Sequence, residues 1–410
     1  MPDLFQKLKN IYHLLQAIAA NAYYGFPANN LKVIGVTGTD GKTTTTHLIY
    51  HILKSAGKKV SMISSVYAEV GNKVYDTGFH VTTPDLFALF KFLKISADSH
   101  DEYFVLEVTS HALDQNRVFG IAFAAAVVTN ITHEHLDYHK TYENYVEVKT
   151  KLLTSAKTTV INKDDRSFSL LKTILTKHRK KFQTFGFNSK DADFRIDLDS
   201  KATLFNKYNF LAAYSVCRLL GISDQEIKES LVDFKLPQGR LHLVYDKNFK
   251  VMIDFAHTPN ALDQLLGSLK KQYLKNAGRL IHVFGSAGLR DISKRPIMGE
   301  MTAQYSDVVI LTEEDYRTED PLSICKQIAE GVLDSDFKEV GSADLNNQSR
   351  KVYAIILDRQ QAINTALKIA GKNDIVVLTG KGHEKSLARG KTEFDWNEEK
   401  AVKIALKKLK

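Results

Sequence analysis

The chain has 410 residues, room for two to four domains of ordinary size. Hydrophobic residues make up 44% and charged residues 25%, which excludes a disordered, collagenous or low-complexity chain. The net charge of +9 comes from lysines spread along the whole length; such a solvated basic surface suits anionic substrates, and no nucleic-acid motif accompanies it.

The apolar run from Ile121 to Val128 falls far short of the ~18 residues that span a bilayer, and the N-terminus has no apolar signal region. Membrane insertion is therefore not expected. The two cysteines, Cys217 and Cys325, exclude a disulfide framework or a cysteine zinc site, so a reducing cytoplasm is expected.

In chain order, Leu4, Leu8, Ile11, Leu15 and Ile18 recur at helical spacing and predict an amphipathic helix over 4–20. A turn-rich linker follows to Asn30. Leu31–Val36 reads as a strand, and a helical pattern (Leu48, Ile49, Ile52, Leu53) comes after a glycine-rich turn. Strand-like runs recur at Val60–Ile63, Phe104–Val108, Ala124–Thr129 and Thr159–Ile161. A second series, Val251–Phe255, Leu280–Phe284, Val308–Leu311 and Ile375–Leu378, begins after Pro237. Alternating strands and helices predict an α/β chain with mostly parallel sheets. The division expected is an N-terminal helix and linker (1–30), a central phosphate-loop ATPase domain (31–236) and a C-terminal Rossmann-like α/β domain (237–410). The lysine-rich tail from Asn397 reads as a helix with a solvated face.

The turn after the first strand is Thr37-Gly38-Thr39-Asp40-Gly41-Lys42-Thr43-Thr44. Glycines let several backbone N–H groups converge on one phosphate, and the following helix adds its positive end. Lys42 carries charge to the outer phosphates and Thr43 offers a hydroxyl to Mg²⁺. The spacing is tighter than the strict Walker pattern, because position 36 is Val.

Glu107 closes the run Tyr103–Glu107, at the strand end where ligands of such sheets bind; it reads as a Mg²⁺ ligand or as a surface acid. His133, His135 and His139 cluster after another strand, but with no cysteine to close the ligation, zinc is not the favoured reading. Lys149 falls among apolar neighbours on a helical stretch, where burial could remove its proton, or it is an ordinary helical lysine.

Together these motifs resemble the Mur ligases, which build the peptidoglycan stem peptide, and most nearly those that add its third residue. The resemblance rests on the loop 37–44; on Glu107-Val108-Thr109-Ser110-His111 with Gln115 and Arg117; and on Thr129-Asn130, His135–His139, Tyr145 and Lys149. It continues through Asn206, Asn209, Gly239-Arg240, Asp254–Pro259, Gly285–Pro296 and Gly380–Glu384. It implies an ADP-forming, ATP-dependent amide ligase that works through an acyl phosphate.

The resemblance also implies roles. Gly38, Thr39, Asp40, Gly41, Lys42, Thr43 and Thr44 would hold the ATP phosphates, and Asn206, Asn209, Arg240 and Asp254 the nucleotide. Thr43, Glu107 and His135 would bind Mg²⁺, with Lys149 carbamylated by CO₂ to help position it. Lys42, Lys149 and His135 would serve catalysis. Thr82, Thr83, Thr109, Gln115 and Arg117 would face an anionic peptide acceptor. Arg290, Asp315, Arg317, Gly380 and Glu384 would hold the incoming amino acid. A monomer acting on small molecules is expected.

Four departures from the family pattern stand out. Only 34 residues precede Gly35, too few for the family's usual uridine-binding domain, so the acceptor is expected to be held by its peptide end, to be lipid-linked, or not to be a muramyl peptide. The loop that reads the added amino acid is Thr312–Arg317, where Asp315-Tyr316 replaces Asn-Pro: Arg317 suits a distal carboxylate, whereas the acidic loop suits a cationic amino acid such as lysine. Asp40 replaces the usual Asn, and Leu241-His242 follows Arg240 where a glutamate is usual. The rival readings are a folate-type polyglutamate ligase and a non-catalytic ATP-binding partner protein.

Overall fold

A computed structural model describes residues 2–76, 84–196, 204–274 and 278–409. The chain divides into two compact units: Met1–Thr132 with His139–Lys235, and His133–Tyr138 with Leu236–Lys410.

The first unit is built on eight strands, β1 (Lys32–Thr37), β2 (Val60–Ile63), β3 (Ala68–Val70), β4 (Lys73–Tyr75), β5 (Tyr103–Glu107), β6 (Phe123–Val128), β7 (Thr158–Asn162) and β8 (Gln183–Phe185). Their order is β4-β3-β2-β5-β1-β6-β7-β8. The strands from β2 to β8 in that order are parallel, and β3 and β4 turn back antiparallel at one edge. The central strands are buried almost throughout, as expected where crossover helices cover both faces. Register aligns Val36 with Glu107 and Thr37 with Val128. The carboxyl ends of β1, β5 and β6 therefore share one edge, from which the glycine loop, Glu107 and Thr129 emerge.

The second unit holds β9 (His242–Asp246), β10 (Lys250–Ile253), β11 (Leu280–Phe284), β12 (Val308–Leu311), β13 (Lys338–Glu339), β14 (Val352–Ile355) and β15 (Ile375–Leu378), in the order β13-β14-β12-β11-β15-β10-β9. All pairings are parallel except β9 with β10. A hairpin, β16 (Ser386–Arg389) and β17 (Thr392–Asp395), stands apart as a two-stranded sheet. Register aligns Ile253 and Val283 with Leu378, and Phe284 with Leu311. Asp254, Gly285, the 312–317 loop and Gly380 thus leave one edge. The segment His133–Tyr138 is held within this unit by Lys294, which donates to Glu134 Oε1 at 3.0 Å and to the His257 carbonyl at 2.9 Å.

Two expectations change. The first helix runs over Pro2–Tyr23, but its predicted apolar stripe faces outward: Leu8 is 56% and Leu15 61% exposed, and Ile11 and Ile18 are exposed as well. The helix docks instead through small Ala17 and Ala20, with Asn10 donating a hydrogen bond to Asp114 and Asn21 one to the Gly120 carbonyl. Small side chains admit a closer backbone approach than the leucines would. The second change is that the expected linker after it closes with a short 3₁₀ turn, Pro27–Asn30.

Candidate active site

The glycine loop between β1 and the helix Lys42–Ser55 is cross-linked from below. The Thr39 and Asp40 amides donate to the Asn130 carbonyl and Oδ1 at 2.8 and 3.0 Å. Thr129 Oγ1 and Asn130 Nδ2 donate to the Asp40 carbonyl at 2.6 and 3.1 Å. Thr39 Oγ1 lies 3.2 Å from the Tyr145 hydroxyl and accepts the Thr132 amide at 2.9 Å. These bonds fix a loop whose backbone must bend sharply. Gly41 has φ +80°, and a Cβ there would stand 2.0 Å from Asn209 Oδ1. At Gly38 a Cβ would stand 1.9 Å from Thr129 Oγ1. No side chain caps the helix that starts at Lys42, so its first-turn N–H groups and positive end serve the loop.

Lys42 Nζ folds back onto the Thr39 carbonyl at 2.6 Å. Thr43 Oγ1 is 3.1 Å from Glu107 Oε1 and 2.9 Å from Ser65 Oγ, and the Ser65 amide donates to Glu107 Oε2 at 2.9 Å. A threonine hydroxyl, a serine hydroxyl and a carboxylate are the hard oxygen donors that suit Mg²⁺. Thr44 is buried in the first helical turn. Asn209 seats its side chain beneath Gly41; Asn206 lies on the helix Leu204–Leu219, its side chain outside the described residues.

Lys149 projects from the helix Tyr142–Ser155 and is 1% exposed. Its Nζ donates to the Gly38 carbonyl at 2.7 Å and lies 4.6 Å from the centre of the Tyr145 ring. Burial holds its pKa well below the usual lysine range; the charge of Lys42 pushes the same way and Asp40 opposes it. Nearby, buried His139 shares a 3.0 Å hydrogen bond with Ser110 Oγ, and burial, with His111 and Lys149, brings its pKa down to about 3. It is a neutral ring.

Of the acceptor-facing residues, Thr109 caps the helix Ser110–Asp114 by accepting the Ala112 amide. Gln115 and Arg117 follow that helix, and Gln115 Oε1 is buried without a hydrogen-bond partner. Thr82 and Thr83 lie outside the described residues.

The remaining residues belong to the second unit, His135 included, with φ +56°. Thus the structure gathers Thr43, Glu107 and Lys149 in one unit, while His135 is grouped with the other. Among the described residues, no set of three or more His, Cys, Asp or Glu clusters as a metal site. Asp254 accepts the Leu241 and Ala256 amides at 2.7 and 2.8 Å; burial raises its pKa and the charge of Arg240 opposes the rise. Arg240 stacks on Phe255 at 4.6 Å. Arg290 is exposed. Lys381, fully buried, donates to Asp315 Oδ1 at 2.8 Å and also to Glu384. Arg317, with φ +52°, donates to the Gly288 carbonyl at 2.8 Å, and Gly380 has φ +97°.

Sequence reasoning passed over Ser65, Tyr145 and Lys381 as working parts. Tyr145 and Lys381 sit inside motifs that had been noticed, so the signal was present; Ser65 carries none.

Two family models match the chain: the Mur ligase middle domain over residues 36–221 and the Mur ligase, glutamate ligase domain over 239–382. A diaminopimelate ligase of Clostridium botulinum, UDP-N-acetylmuramoyl-L-alanyl-D-glutamate--2,6-diaminopimelate ligase, is 37% identical across 90% of this chain and 76% of its own. The UDP-N-acetylmuramyl-tripeptide synthetase of Borreliella afzelii is 37% identical across 95% of this chain and 80% of its own. The chain belongs to the Mur ligase family. A solved UDP-N-acetylmuramoyl-L-alanyl-D-glutamate--2,6-diaminopimelate ligase superposes with TM-score 0.57 at 29% identity, over 92% of this chain and 79% of the other. The folylpolyglutamate synthase of Mycobacterium tuberculosis, complexed with ADP, superposes with TM-score 0.65 over 90% and 91%, but at 16% identity it shares the fold alone. As a Mur ligase this chain is an ATP-dependent, ADP-forming ligase, and ATP with Mg²⁺ is the family's requirement. The non-catalytic reading is thereby set aside. No helix among the described residues is long and apolar enough to cross a membrane.

Proposed function

We propose that this Mur ligase joins an amino acid to a carboxylate of a muramyl-peptide acceptor in peptidoglycan precursor synthesis. The observation that carries the reading is the glycine cradle with Glu107 bonded to Thr43 on one side and buried Lys149 bonded to Gly38 on the other. Gly38 and Gly41 let the loop backbone bend closely against Thr129 and Asn209, and so curl its N–H groups around a phosphate. The acceptor carboxylate attacks the γ-phosphorus of ATP; the bond to the bridging oxygen breaks, giving an acyl phosphate and ADP. The amine of the incoming residue then attacks the acyl carbon, inorganic phosphate departs and the amine loses a proton. Lys42 neutralises charge that builds on the transferred phosphoryl group. Thr43 and Glu107 would hold Mg²⁺, which offsets the phosphates' negative charge.

Lys149 is the proposed carbamate. Burial pushes the Lys149 amine toward its uncharged form, the form that attacks CO₂, releasing one proton and leaving a carbamate anion beside the loop. Thr109, Gln115 and Arg117 face the acceptor, and the unpartnered Gln115 Oε1 supports that role. The protein is proposed to act as a cytoplasmic monomer.

The test incubates the full chain with ATP, Mg²⁺, bicarbonate and muramyl dipeptides carrying or lacking UDP, across a panel of amino acids. ADP and a new amide of the summed mass are expected with at least one pair. ADP release without any amide, across the panel, would overturn the reading.

A further inference from the structure

The first helix, Pro2–Tyr23, carries Leu8, Ile11, Tyr12, Leu15 and Ile18 exposed along one side. From Leu8 to Ile18 the stripe runs about 15 Å at the helical rise of ~1.5 Å per residue. Large apolar side chains aligned in this way, rather than scattered singly, mark an interaction surface.

The sides of the sheet show what lies beside the stripe. Val33 and Phe104 point into one apolar cluster, and their strand neighbours Ile34 and Val105 into another on the opposite face. Ala17 and Ala20 of the first helix are buried in the cluster of Val33, and so are Leu171 and Leu175 of the helix Phe168–Lys177. Both helices therefore cover the same sheet face and turn their other sides away from it. The second of them is basic. Residues 166–181 hold six Lys or Arg and no Asp or Glu, in a chain of net charge +9. Lys172, Lys177, Arg179 and Lys181 are exposed. Between the two helices, Asp114 accepts from Asn10 and pairs with Lys151. The exposed acids there, Glu143 and Glu147, are offset by exposed Lys151 and Lys157.

An apolar stripe and a basic cluster on one face call for a partner that offers hydrocarbon and negative charge together. A second copy of this face would bring the two sets of cations against each other. A nucleic acid would meet the cations and leave the stripe in water. An anionic bilayer meets both: its acyl boundary takes leucine, isoleucine and tyrosine side chains, and its headgroups take lysine and arginine.

We propose that this face of the first unit docks on an anionic phospholipid surface, with the helix Pro2–Tyr23 lying in the headgroup layer. The helix rests on the bilayer and does not span it, since no helix among the described residues is long and apolar enough to cross. The glycine loop leaves the carboxyl edge of the sheet, not this face, so docking keeps the nucleotide site open.

The experiment sediments the full chain with vesicles of phosphatidylcholine alone and of equimolar phosphatidylcholine and phosphatidylglycerol. Wild type is expected to bind the anionic vesicles at least about tenfold more tightly, and to be released as salt rises from about 0.1 to about 0.5 M. Two variants divide the surface: Ile11→Ser with Leu15→Ser removes the stripe, and Lys177→Glu with Arg179→Glu reverses the cluster. Each is expected to lose at least about tenfold in affinity with an unchanged melting temperature, because all four side chains are exposed. Equal binding to both vesicles, or none to either, overturns the proposal, and that wild-type comparison decides even where a variant does not fold. Full retention of anionic vesicles by the stripe variant also overturns it, leaving the cluster a general polyanion site; tight binding of a DNA duplex that the stripe variant keeps has the same force. A wild-type dimer in light scattering that the stripe variant dissolves overturns it in favour of a second copy.

Discussion

Each unit buries a lysine completely, and the two are treated in opposite ways. Lys149 is 1% exposed and meets a carbonyl and a tyrosine ring. Lys381 is 0% exposed and meets two carboxylates, Asp315 and Glu384. Burial penalises the ammonium in both. At Lys381 the penalty is outweighed by Glu384 and Asp315, and the pKa ends above the ordinary lysine value. At Lys149 the charge of Lys42 adds to the penalty, and the pKa ends well below it. One lysine is a fixed charge that ties the 312–317 loop to the Gly380 turn. The other is pushed toward its uncharged form, with no carboxylate against it. Burial alone does not fix a lysine's charge; the partners do.

The sharpest way to break this contrast is to remove each nitrogen in turn. Lys149→Ala is expected to lower kcat by about 10³-fold, comparable to the loss of a charge-stabilising group from other active sites, with little change in melting temperature. Full amide formation by Lys149→Ala would show that no carbamate is needed. Lys381→Met is expected to act on stability first. It strands Asp315 and Glu384 without their shared cation, and breaking a buried pair in this way costs about 3–5 kcal/mol. At roughly 2–4 °C per kcal/mol for domains of this size, differential scanning calorimetry should register a clear fall in the melting of the second unit. No fall would mean that water already reaches the pair.

Why one half of this contrast was visible in the chain and the other was not follows from sequence distance. The phosphate loop is local: Gly38, Gly41, Lys42 and Thr43 lie within six residues, and the strand and helix on either side can be read from their apolar spacing. Lys149 stood out because its helical neighbours, Tyr145, Val146 and Leu152, are apolar, and they are buried. The strands that form the sheet centres, β1, β5, β6, β10, β11, β12 and β15, were continuous apolar runs. The polar hairpin β16–β17 and the edge strands β8, β9 and β13 carry no such run, and β9 is only half-buried or exposed along its length. The engagement of Asp315 was illegible because its partner lies 66 residues away. The outward stripe of the first helix misled for a similar reason: a moment shows which face is apolar but not which face a neighbour will cover.

A third, smaller test concerns the loop itself. Gly41→Ala places a methyl group 2.0 Å from Asn209 Oδ1 in a residue held at φ +80°. The expected cost is about 1–3 kcal/mol of strain and a rise in KM for ATP, with the second unit's melting unchanged. If KM for ATP stays the same, the nucleotide does not approach the backbone there.

The smallest effect is also the most diagnostic, because its sign runs against intuition. Below its ordinary pKa of 10.5 a lysine is protonated in the unfolded chain, whereas Lys149 in the folded protein is held well below that value. Above the folded pKa, folding therefore releases a proton, which opposes folding. The unfolded state binds more protons, so the contribution of Lys149 to stability rises with pH until the unfolded lysine also deprotonates. Lys149→Met keeps the length of the side chain and removes both the titration and the buried amine. In CO₂-free buffer at pH 7 the variant is expected to melt higher than wild type, with the gain shrinking as the pH approaches 10.5. Lys381→Met shows the reverse, a loss at neutral pH. A drop in melting temperature for Lys149→Met that does not vary with pH would mean that Lys149 is charged in the folded state, and the neutral amine needed to capture CO₂ would not be there.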